Sequence, residues 1–174
     1  MLRLLLQRHA KAIPYAGRDD YERTLTERGR ADAALVAAWL SRQSPEPDLI
    51  VHSGAARARE TAQIVAGKLP TRIEIETEPD IYEADRTSLL RLLRELPEDC
   101  QSALIVGHNP GMADAARLLA GRGDAAALAR LAAKFPTSSI AVIEFPGHSW
   151  DEIAPREGTL FAFVTPSQFG GEDA

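Results

Sequence analysis

The chain of 174 residues is 45% hydrophobic and 26% charged, and its formal net charge is −5. This length and composition are typical of one domain with a buried core, and the acidic balance argues against nucleic acid or an acidic membrane surface as a partner. The one cysteine, Cys100, excludes an internal disulfide, and no apolar run approaches the ~20 residues of a membrane span. We therefore expect a cytoplasmic protein in which Cys100 is a small buried residue rather than a reactive thiol.

Six short apolar segments predict β-strands. They lie at residues 2–7, 48–52, 73–78, 102–107, 139–145 and 159–165. The second and fourth contain the continuous apolar runs LIV and ALIV, which are typical of parallel strands covered on both faces. The third, IEIETE, alternates apolar with polar or acidic residues and predicts an edge or half-exposed strand.

Helical spacing of apolar residues fills the stretches between these strands. It covers residues 26–42, 55–69, 85–96, 111–120 and 124–133. Thr26 is predicted to cap the first helix, and Asp85 or Thr87 the third. The residues that the first helix is predicted to bury are Ala31, Leu35, Ala38 and Trp39. The sequence GRGD at 121–124 predicts a turn, and a polar tail at about 167–174 is expected to be loose.

Strands that alternate with helices predict a single α/β domain over residues 1–174, with a mainly parallel central sheet between two helical layers. In such sheets ligands bind at the carboxyl ends of the strands, so the residues that follow each strand are candidates for a site. In chain order these candidates are Gln7, Arg8 and His9, then Ser53, Arg57 and Arg59, then Glu83, then His108 and Asn109.

Taken singly, each candidate has an ordinary structural explanation. His9 could be an exposed strand end, the arginines could be solvated helix positions, and the sequence HNPG favours a turn. Together they place two histidines, at least two arginines and a carboxylate at one edge of the sheet. The planar guanidinium of arginine matches phosphate oxygens, and a helix that begins near Ala55 would add backbone N–H groups. The sequence therefore predicts a phosphate site.

Other kinds of site fit the same residues less well. Histidines flanked by arginines disfavour a metal ion, so neither a metal nor another cofactor is expected. Ser53 lacks the Gly-x-Ser-x-Gly context of a serine hydrolase, and GHNPG lacks the Lys-Ser/Thr ending of a Walker loop. The absence of a glycine-rich loop after the first strand also disfavours a nucleotide-binding flavodoxin-like protein.

The motifs LLLQRHAKA, SGAARARETA, IYEA and LIVGHNPG occur in this order between about residues 2 and 165. With them the chain resembles the histidine phosphatase superfamily, which has the phosphoglycerate mutase-like fold. RHAKA, RTLTERG and GHNPG are most similar to the branch of SixA-type phosphohistidine phosphatases. Two positions depart from the superfamily pattern, since Ala10 replaces the usual glycine after the histidine and Gly54 the usual proline after the serine.

The resemblance implies that His9 is a nucleophile that forms a phosphohistidine intermediate. The candidate phosphate-binding residues are Arg8, Arg57, His108, Ser53 and Asn109. The cations among them should lower the pKa of His9 and keep its ring neutral, as a nucleophile must be.

The general acid is left open between two carboxylates. Glu83 matches the position after the third strand where the superfamily often has a carboxylate. Asp20, three residues before Arg23, matches a carboxylate typical of the SixA-type branch. Glu83 is slightly preferred for an oxygen leaving group, whereas an imidazole leaving group has a pKa near neutrality and demands less of an acid.

The segment between Arg57 and His108 is filled by predicted helices and a strand, which leaves little sequence for an insertion over the pocket. An uncovered pocket favours a phosphorylated side chain on another protein, because small metabolites usually need an enclosing pocket. The leading hypothesis is a phosphohistidine phosphatase that acts on a protein. A small-molecule phosphomonoesterase and a non-catalytic phosphate-binding module remain alternatives, and the sequence leaves the oligomeric state open.

Overall fold

The computed structural model describes residues 1–174, and all of its strands belong to one seven-stranded sheet. The strands are β1 Leu2–Arg8, β2 Leu49–His52, β3 Glu74–Thr77, β4 Ser102–Gly107, β5 Ala120–Gly123, β6 Ile140–Phe145 and β7 Gly158–Val164. Their order is β3-β2-β4-β1-β6-β7-β5, and β6 alone runs against its two neighbours. The predicted mainly parallel sheet is confirmed, and so is the position of β3 at an edge.

The five helices lie at α1 Glu27–Leu40, α2 Ala56–Lys68, α3 Arg86–Arg94, α4 Gly111–Leu119 and α5 Ala125–Ala133. Side-chain oxygens at three of their starts accept hydrogen bonds from backbone N–H groups that the helix leaves free. Thr26 caps α1 in this way, Asp85 caps α3 and Asp124 caps α5. The predicted caps of the first and third helices are thus confirmed.

The central strands bury both of their faces, as the continuous apolar runs predict. Leu4 and Leu6 of β1 belong to one core cluster, with side chains of α3, α4 and α5. Leu5 points to the other face and joins a second cluster with α1 and α2. Because successive side chains of a strand alternate between faces, one apolar strand joins both cores of this three-layer α/β/α architecture.

The buried face of α1 differs from the prediction. The helix buries Ala33, Val36, Ala37 and Leu40. Ala31 is exposed, and Leu35, Ala38 and Trp39 are only half-buried. Alanines occur all around this helix, so the spacing of apolar residues does not define one face. The small side chains that are buried let α1 approach α2 closely.

The turn predicted at 121–124 is wrong in the structure. Residues Ala120–Gly123 form β5, which pairs in parallel with β7 at the edge of the sheet. A side chain at Gly121 would collide with the backbone of Arg156, and one at Gly123 would lie 2.7 Å from the carbonyl of Leu160. These glycines therefore allow close backbone packing rather than a reversal of the chain.

The polar tail that was expected to be loose makes contacts with the rest of the chain. Asp173 accepts hydrogen bonds from Thr165 and Ser167, and Glu172 pairs with Arg28 at 2.7 Å. The carbonyl of Ala174 accepts from the backbone of Thr137 at 3.0 Å. Polar composition favours disorder in an isolated segment, but here the carboxylates find partners on the folded surface. No helix in the structure combines the length and the apolar character that crossing a bilayer requires.

Candidate active site

β1 carries the first candidate residues to the middle of the sheet, since it lies between β4 and β6. The backbone N–H of His9, just beyond the strand, donates to the carbonyl of Gly107 at 2.9 Å. The next N–H, that of Ala10, donates to the hydroxyl of Thr61 at 3.0 Å. The buried strand and these two bonds fix the backbone on which the His9 ring is mounted.

Both ring nitrogens of His9 have a defined partner. Nδ1 lies 2.7 Å from the carbonyl oxygen of Ala10, which can only accept, so Nδ1 carries the proton. Nε2 lies 3.4 Å from Nε of Arg57, which can only donate, so Nε2 presents its lone pair. The ring is therefore in the neutral tautomer whose Nε2 can act as a nucleophile.

The pKa of His9 lies well below its ordinary value, and burial is the largest cause. Nearby His108 and Arg57 lower it further. The expected effect of the cations is thus present, but it is smaller than the effect of removing the ring from water. Together these effects keep the nucleophile unprotonated near neutral pH.

Arg57 is buried in the first turn of α2, and Asp20 accepts two hydrogen bonds from its guanidinium. Its Nη1 donates to the backbone carbonyl of Asp20 at 2.6 Å, and its Nη2 donates to the carboxylate at 3.0 Å. Tyr82 donates its hydroxyl to the same carboxylate oxygen, and Arg23 donates to the other oxygen at 2.7 Å. One carboxylate therefore joins two arginines and a tyrosine.

The pKa of Asp20 is lowered far below its usual range, chiefly by the hydrogen bond from Tyr82. Arg23 and Arg57 lower it as well, although burial opposes them. A carboxyl group in this environment stays ionised at neutral pH and is poorly suited to donate a proton. The structure thus argues against Asp20 as the general acid and gives it a role in holding Arg57.

His108 follows β4, and its ring centroid lies 5.1 Å from that of His9. Its Nε2 lies 2.7 Å from the hydroxyl of Ser53, and its buried Nδ1 makes no hydrogen bond within the chain. Burial, with a smaller contribution from Arg57, lowers the pKa of His108 to about 4. Nδ1 of this ring is thus a buried polar atom without a partner in the chain.

Ser53 and Asn109, which are predicted to bind phosphate, both make hydrogen bonds within the chain. The fully buried hydroxyl of Ser53 bonds to His108 and also accepts from the N–H of Ala55 at 3.3 Å, so it orients the histidine. The amide of Asn109 donates to the carbonyl of Phe135 at 2.9 Å and accepts from the N–H of Ala113 at 3.3 Å. The hydroxyl of Ser53 is thus used within the chain, whereas Asn109 keeps one amide N–H without a partner in the chain.

Arg8 also contacts the carbonyl of Phe135, to which its Nη1 donates at 3.1 Å. The same nitrogen lies 3.4 Å from the carbonyl of Ala174, whereas Nη2 makes no hydrogen bond within the chain. Burial lowers the pKa of Arg8, but a guanidinium remains charged at any working pH. Arg8 thus adds a positive charge near His9, and its Nη2 has no partner in the chain.

A cavity of about 320 Å³ opens beside these groups. Its lining residues are Asp20, Arg57, Tyr82, Glu83, Ala84, Asp85, His108, Asn109 and Pro110. Glu83 is exposed at this cavity and has no hydrogen-bond partner in the chain, whereas Arg59 is exposed on α2 and does not line it. The strand ends thus bring Arg57, Glu83 and His108 to one cavity, next to His9.

A model of the histidine phosphatase superfamily (branch 1) matches residues 4–143 of the chain. The chain belongs to this superfamily. It is accordingly a phosphatase with the phosphoglycerate mutase-like fold, and the family resemblance of its motifs is confirmed.

Relatives of this histidine phosphatase match nearly its whole length. An uncharacterized protein of Mycobacterium tuberculosis is 33% identical over 161 residues, which cover 91% of this chain and 99% of the relative. A solved structure of an Agrobacterium tumefaciens protein with the provisional name phosphohistidine phosphatase SixA is 32% identical, with a TM-score of 0.79. The match covers 95% of this chain and 98% of that protein. The α-ribazole phosphatase of Shigella flexneri shares the fold at 17% identity, with a TM-score of 0.65 and coverage of 95% and 97%.

The departure from the superfamily pattern at Gly54 has a structural cause. This residue has φ of +88°, which proline cannot adopt because its ring holds φ near −65°. A side chain at Gly54 would also collide with the hydroxyl of Tyr21, which donates to the carbonyl of Ser53 at 3.2 Å. In this histidine phosphatase Tyr21 therefore takes the space that a larger residue would need.

Gly54→Ala is expected to lower the free energy of unfolding by at least about 2 kcal/mol, from backbone strain together with the clash at Tyr21. Gly17→Ala is a matched control, because Gly17 has φ of +76° and open space around it. This control should lose only the strain, about 1 kcal/mol. Urea denaturation of both variants measures the difference, and equal losses would show that the contact with Tyr21 is unimportant.

Three contributors to the site were not found from the sequence: Tyr21, Tyr82 and Arg23. Tyr82 directly precedes Glu83 in the motif IYEA, and Tyr21 directly follows Asp20. Each tyrosine is thus adjacent in sequence to one of the two candidate acids. This adjacency is the feature of the sequence that could have identified them as site residues.

Proposed function

We propose that this phosphatase removes the phosphoryl group from a histidine side chain of another protein, through a covalent intermediate on His9. The observation that carries the proposal is the state of His9, a neutral ring whose Nδ1 proton is held by Ala10 and whose Nε2 lone pair faces Arg57. A module that only binds phosphate needs cations but has no use for a nucleophile in this tautomer.

The reaction would proceed in two transfers. Nε2 of His9 attacks phosphorus, the bond from phosphorus to the substrate's imidazole nitrogen breaks, and that nitrogen keeps the electron pair and takes up a proton. Water then attacks the phosphohistidine, which releases inorganic phosphate and returns Nε2 to its neutral state. Each transfer has a lower barrier than direct attack by water on the substrate.

Three groups would stabilise the phosphoryl oxygens during both transfers. Arg57 has its guanidinium beside Nε2, Arg8 retains its unbonded Nη2, and His108 presents its unpartnered Nδ1. Charge on the equatorial oxygens is spread in the transition state of phosphoryl transfer, and donors fixed in advance stabilise it without reorganisation. These are the roles that the family resemblance implies for the three residues.

Glu83 is the better placed of the two candidate acids. It is exposed, lines the cavity and has no partner in the chain, whereas the carboxylate of Asp20 is bound to Tyr82, Arg23 and Arg57. We assign Glu83 to protonating an oxygen leaving group when one is present. An imidazole leaving group depends on it less, because its own pKa is near neutrality.

Two observations favour a protein substrate. The cavity of about 320 Å³ is near the lower limit for pockets that enclose a whole small ligand. In addition, the related Agrobacterium tumefaciens structure has the provisional name of a phosphohistidine phosphatase. The second candidate is a small-molecule phosphomonoesterase, because the α-ribazole phosphatase shares the fold.

Turnover of a phosphorylated histidine-containing protein should exceed turnover of every member of a metabolite panel by at least about tenfold in kcat/KM. The panel should include sugar phosphates and nucleotides, and released phosphate is measured in both cases. Rapid hydrolysis of one metabolite without action on phosphohistidine would replace the proposal with the second candidate. A protein that neither takes up acid-labile phosphate label nor releases phosphate from any donor would be a binding module.

A further inference from the structure

We propose that Tyr82 is a positioning residue of this phosphatase, which holds the Asp20 carboxylate against Arg57 and so aims the guanidinium at the phosphoryl group on His9. The inference rests on the roles proposed for His9 and Arg57, but it does not depend on which phosphorylated substrate is the natural one.

The N–H donors of the Arg57 guanidinium are directed to two residues, Asp20 and His9. Nη1 and Nη2 are both directed to Asp20, at 2.6 and 3.0 Å, while Nε is directed to Nε2 of His9. A guanidinium is planar, so fixing its two terminal nitrogens also fixes the direction of Nε–H. The orientation of Arg57 toward the nucleophile is therefore set by the position of Asp20.

Asp20 in turn depends on Tyr82, because it belongs to a short connecting segment. It starts a single turn of 3-10 helix at Asp20–Glu22, in the long connection between β1 and α1. Its side chain is 36% exposed, so packing alone does not hold it. Tyr82 donates its hydroxyl to the carboxylate oxygen that also accepts from Arg57. Tyr82 lies in the connection between β3 and α3, 62 residues after Asp20.

Tyr82 itself is held firmly. Ile81, the preceding residue, is 3% exposed and belongs to the core, and the N–H of Tyr82 donates to the carbonyl of Pro79 at 3.1 Å. Its ring makes edge contacts with Tyr21, at 5.0 Å between centroids, and with His108, at 5.4 Å. Tyr82 therefore links the Asp20 carboxylate to the core, in addition to the bonds from Arg23 and Arg57.

The charges around Asp20 favour the hydrogen bond from Tyr82 to its carboxylate. The charged groups that face Asp20 are Arg23 and Arg57, and both favour its ionised form. Burial and the neighbouring carboxylate raise the pKa of Tyr82, so the shared proton stays on the phenol. A neutral donor and an ionised acceptor form a stronger hydrogen bond than two neutral groups do.

Tyr82→Phe is the direct test, with p-nitrophenyl phosphate as substrate so that the result does not depend on phosphohistidine. We expect kcat to fall about tenfold, because the variant loses a hydrogen bond to a charged group. The change in KM should be smaller, because Arg57 acts mainly on the transition state. Tyr15→Phe is the matched control: Tyr15 is 58% exposed, and this variant should behave as the unaltered protein does. Thermal unfolding should show similar midpoints for both.

A double-mutant cycle with Asp20→Asn separates positioning from a general structural effect. If Tyr82 acts through Asp20, the Tyr82→Phe exchange should change kcat less than twofold in the Asp20→Asn background. Additive losses, or a Tyr82→Phe variant as active as Tyr15→Phe, would overturn the inference. Failure on phosphohistidine substrates with intact p-nitrophenyl phosphatase activity would overturn only the proposed substrate, so the two failures are distinguishable.

Discussion

His9→Ala is expected to lower kcat by roughly a thousandfold or more on every phosphorylated substrate, because it removes the atom that accepts the phosphoryl group. Water would then have to attack the substrate directly, in a site whose donors are arranged around Nε2. The same variant should fail to retain acid-labile phosphate after a brief incubation with a labelled donor, whereas the unaltered protein should retain it. Rapid-quench trapping and steady-state phosphate release measure the two quantities.

Two controls make the His9 result specific. His148→Ala replaces an exposed histidine in the connection between β6 and β7, and it should leave both quantities unchanged. Added imidazole should restore part of the turnover of His9→Ala, since the space left by the ring lies beside Arg57. Turnover of His9→Ala within tenfold of the unaltered protein, with label still trapped, would show that another residue is the nucleophile.

The main site residues could be predicted to meet because each follows a strand of a mainly parallel sheet, and the carboxyl ends of parallel strands lie at one edge. β1, β4 and β2 are neighbours in the sheet and run in parallel, so His9, His108 and the start of α2 must meet at one edge. Continuous apolar runs identify such strands even when the conformations of the connecting loops are unknown. The meeting of these residues was therefore predictable from the sequence, whereas their roles in binding phosphate come from the family resemblance and stay predictions.

The partners of those residues could not be predicted, because they depend on loop conformation and on contacts between distant segments. Asn109 is a predicted phosphate-binding residue, and one N–H of its amide donates to the carbonyl of Phe135, 26 residues away. The hydroxyl of Ser53 is bound to His108, 55 residues away. Asp20 was a candidate acid only until its contact with Tyr82, 62 residues away, showed why it stays ionised.

Arg57→Ala is expected to lower kcat/KM by about a hundredfold to a thousandfold, the usual cost of losing one donor to the charge of a transition state. Arg57 is 6% exposed, and its guanidinium contacts both the nucleophile and Asp20, so no other side chain can replace it. Arg57→Lys should recover little of the loss. A lysine retains the positive charge, but its single nitrogen cannot reach the backbone carbonyl and the carboxylate of Asp20 while it also points a donor at Nε2 of His9.

Arg59→Ala is the matched control for this variant, since Arg59 lies two residues further along α2 and is exposed. It removes the same charge from the same helix, so the long-range electrostatic change is similar and kcat/KM should stay within about twofold. The fold should tolerate Arg57→Ala as well, because Asp20 is partly solvated and keeps its contacts with Arg23 and Tyr82. Similar losses in the two variants would mean that Arg57 contributes only charge, and that its aim at His9 is unimportant for phosphoryl transfer.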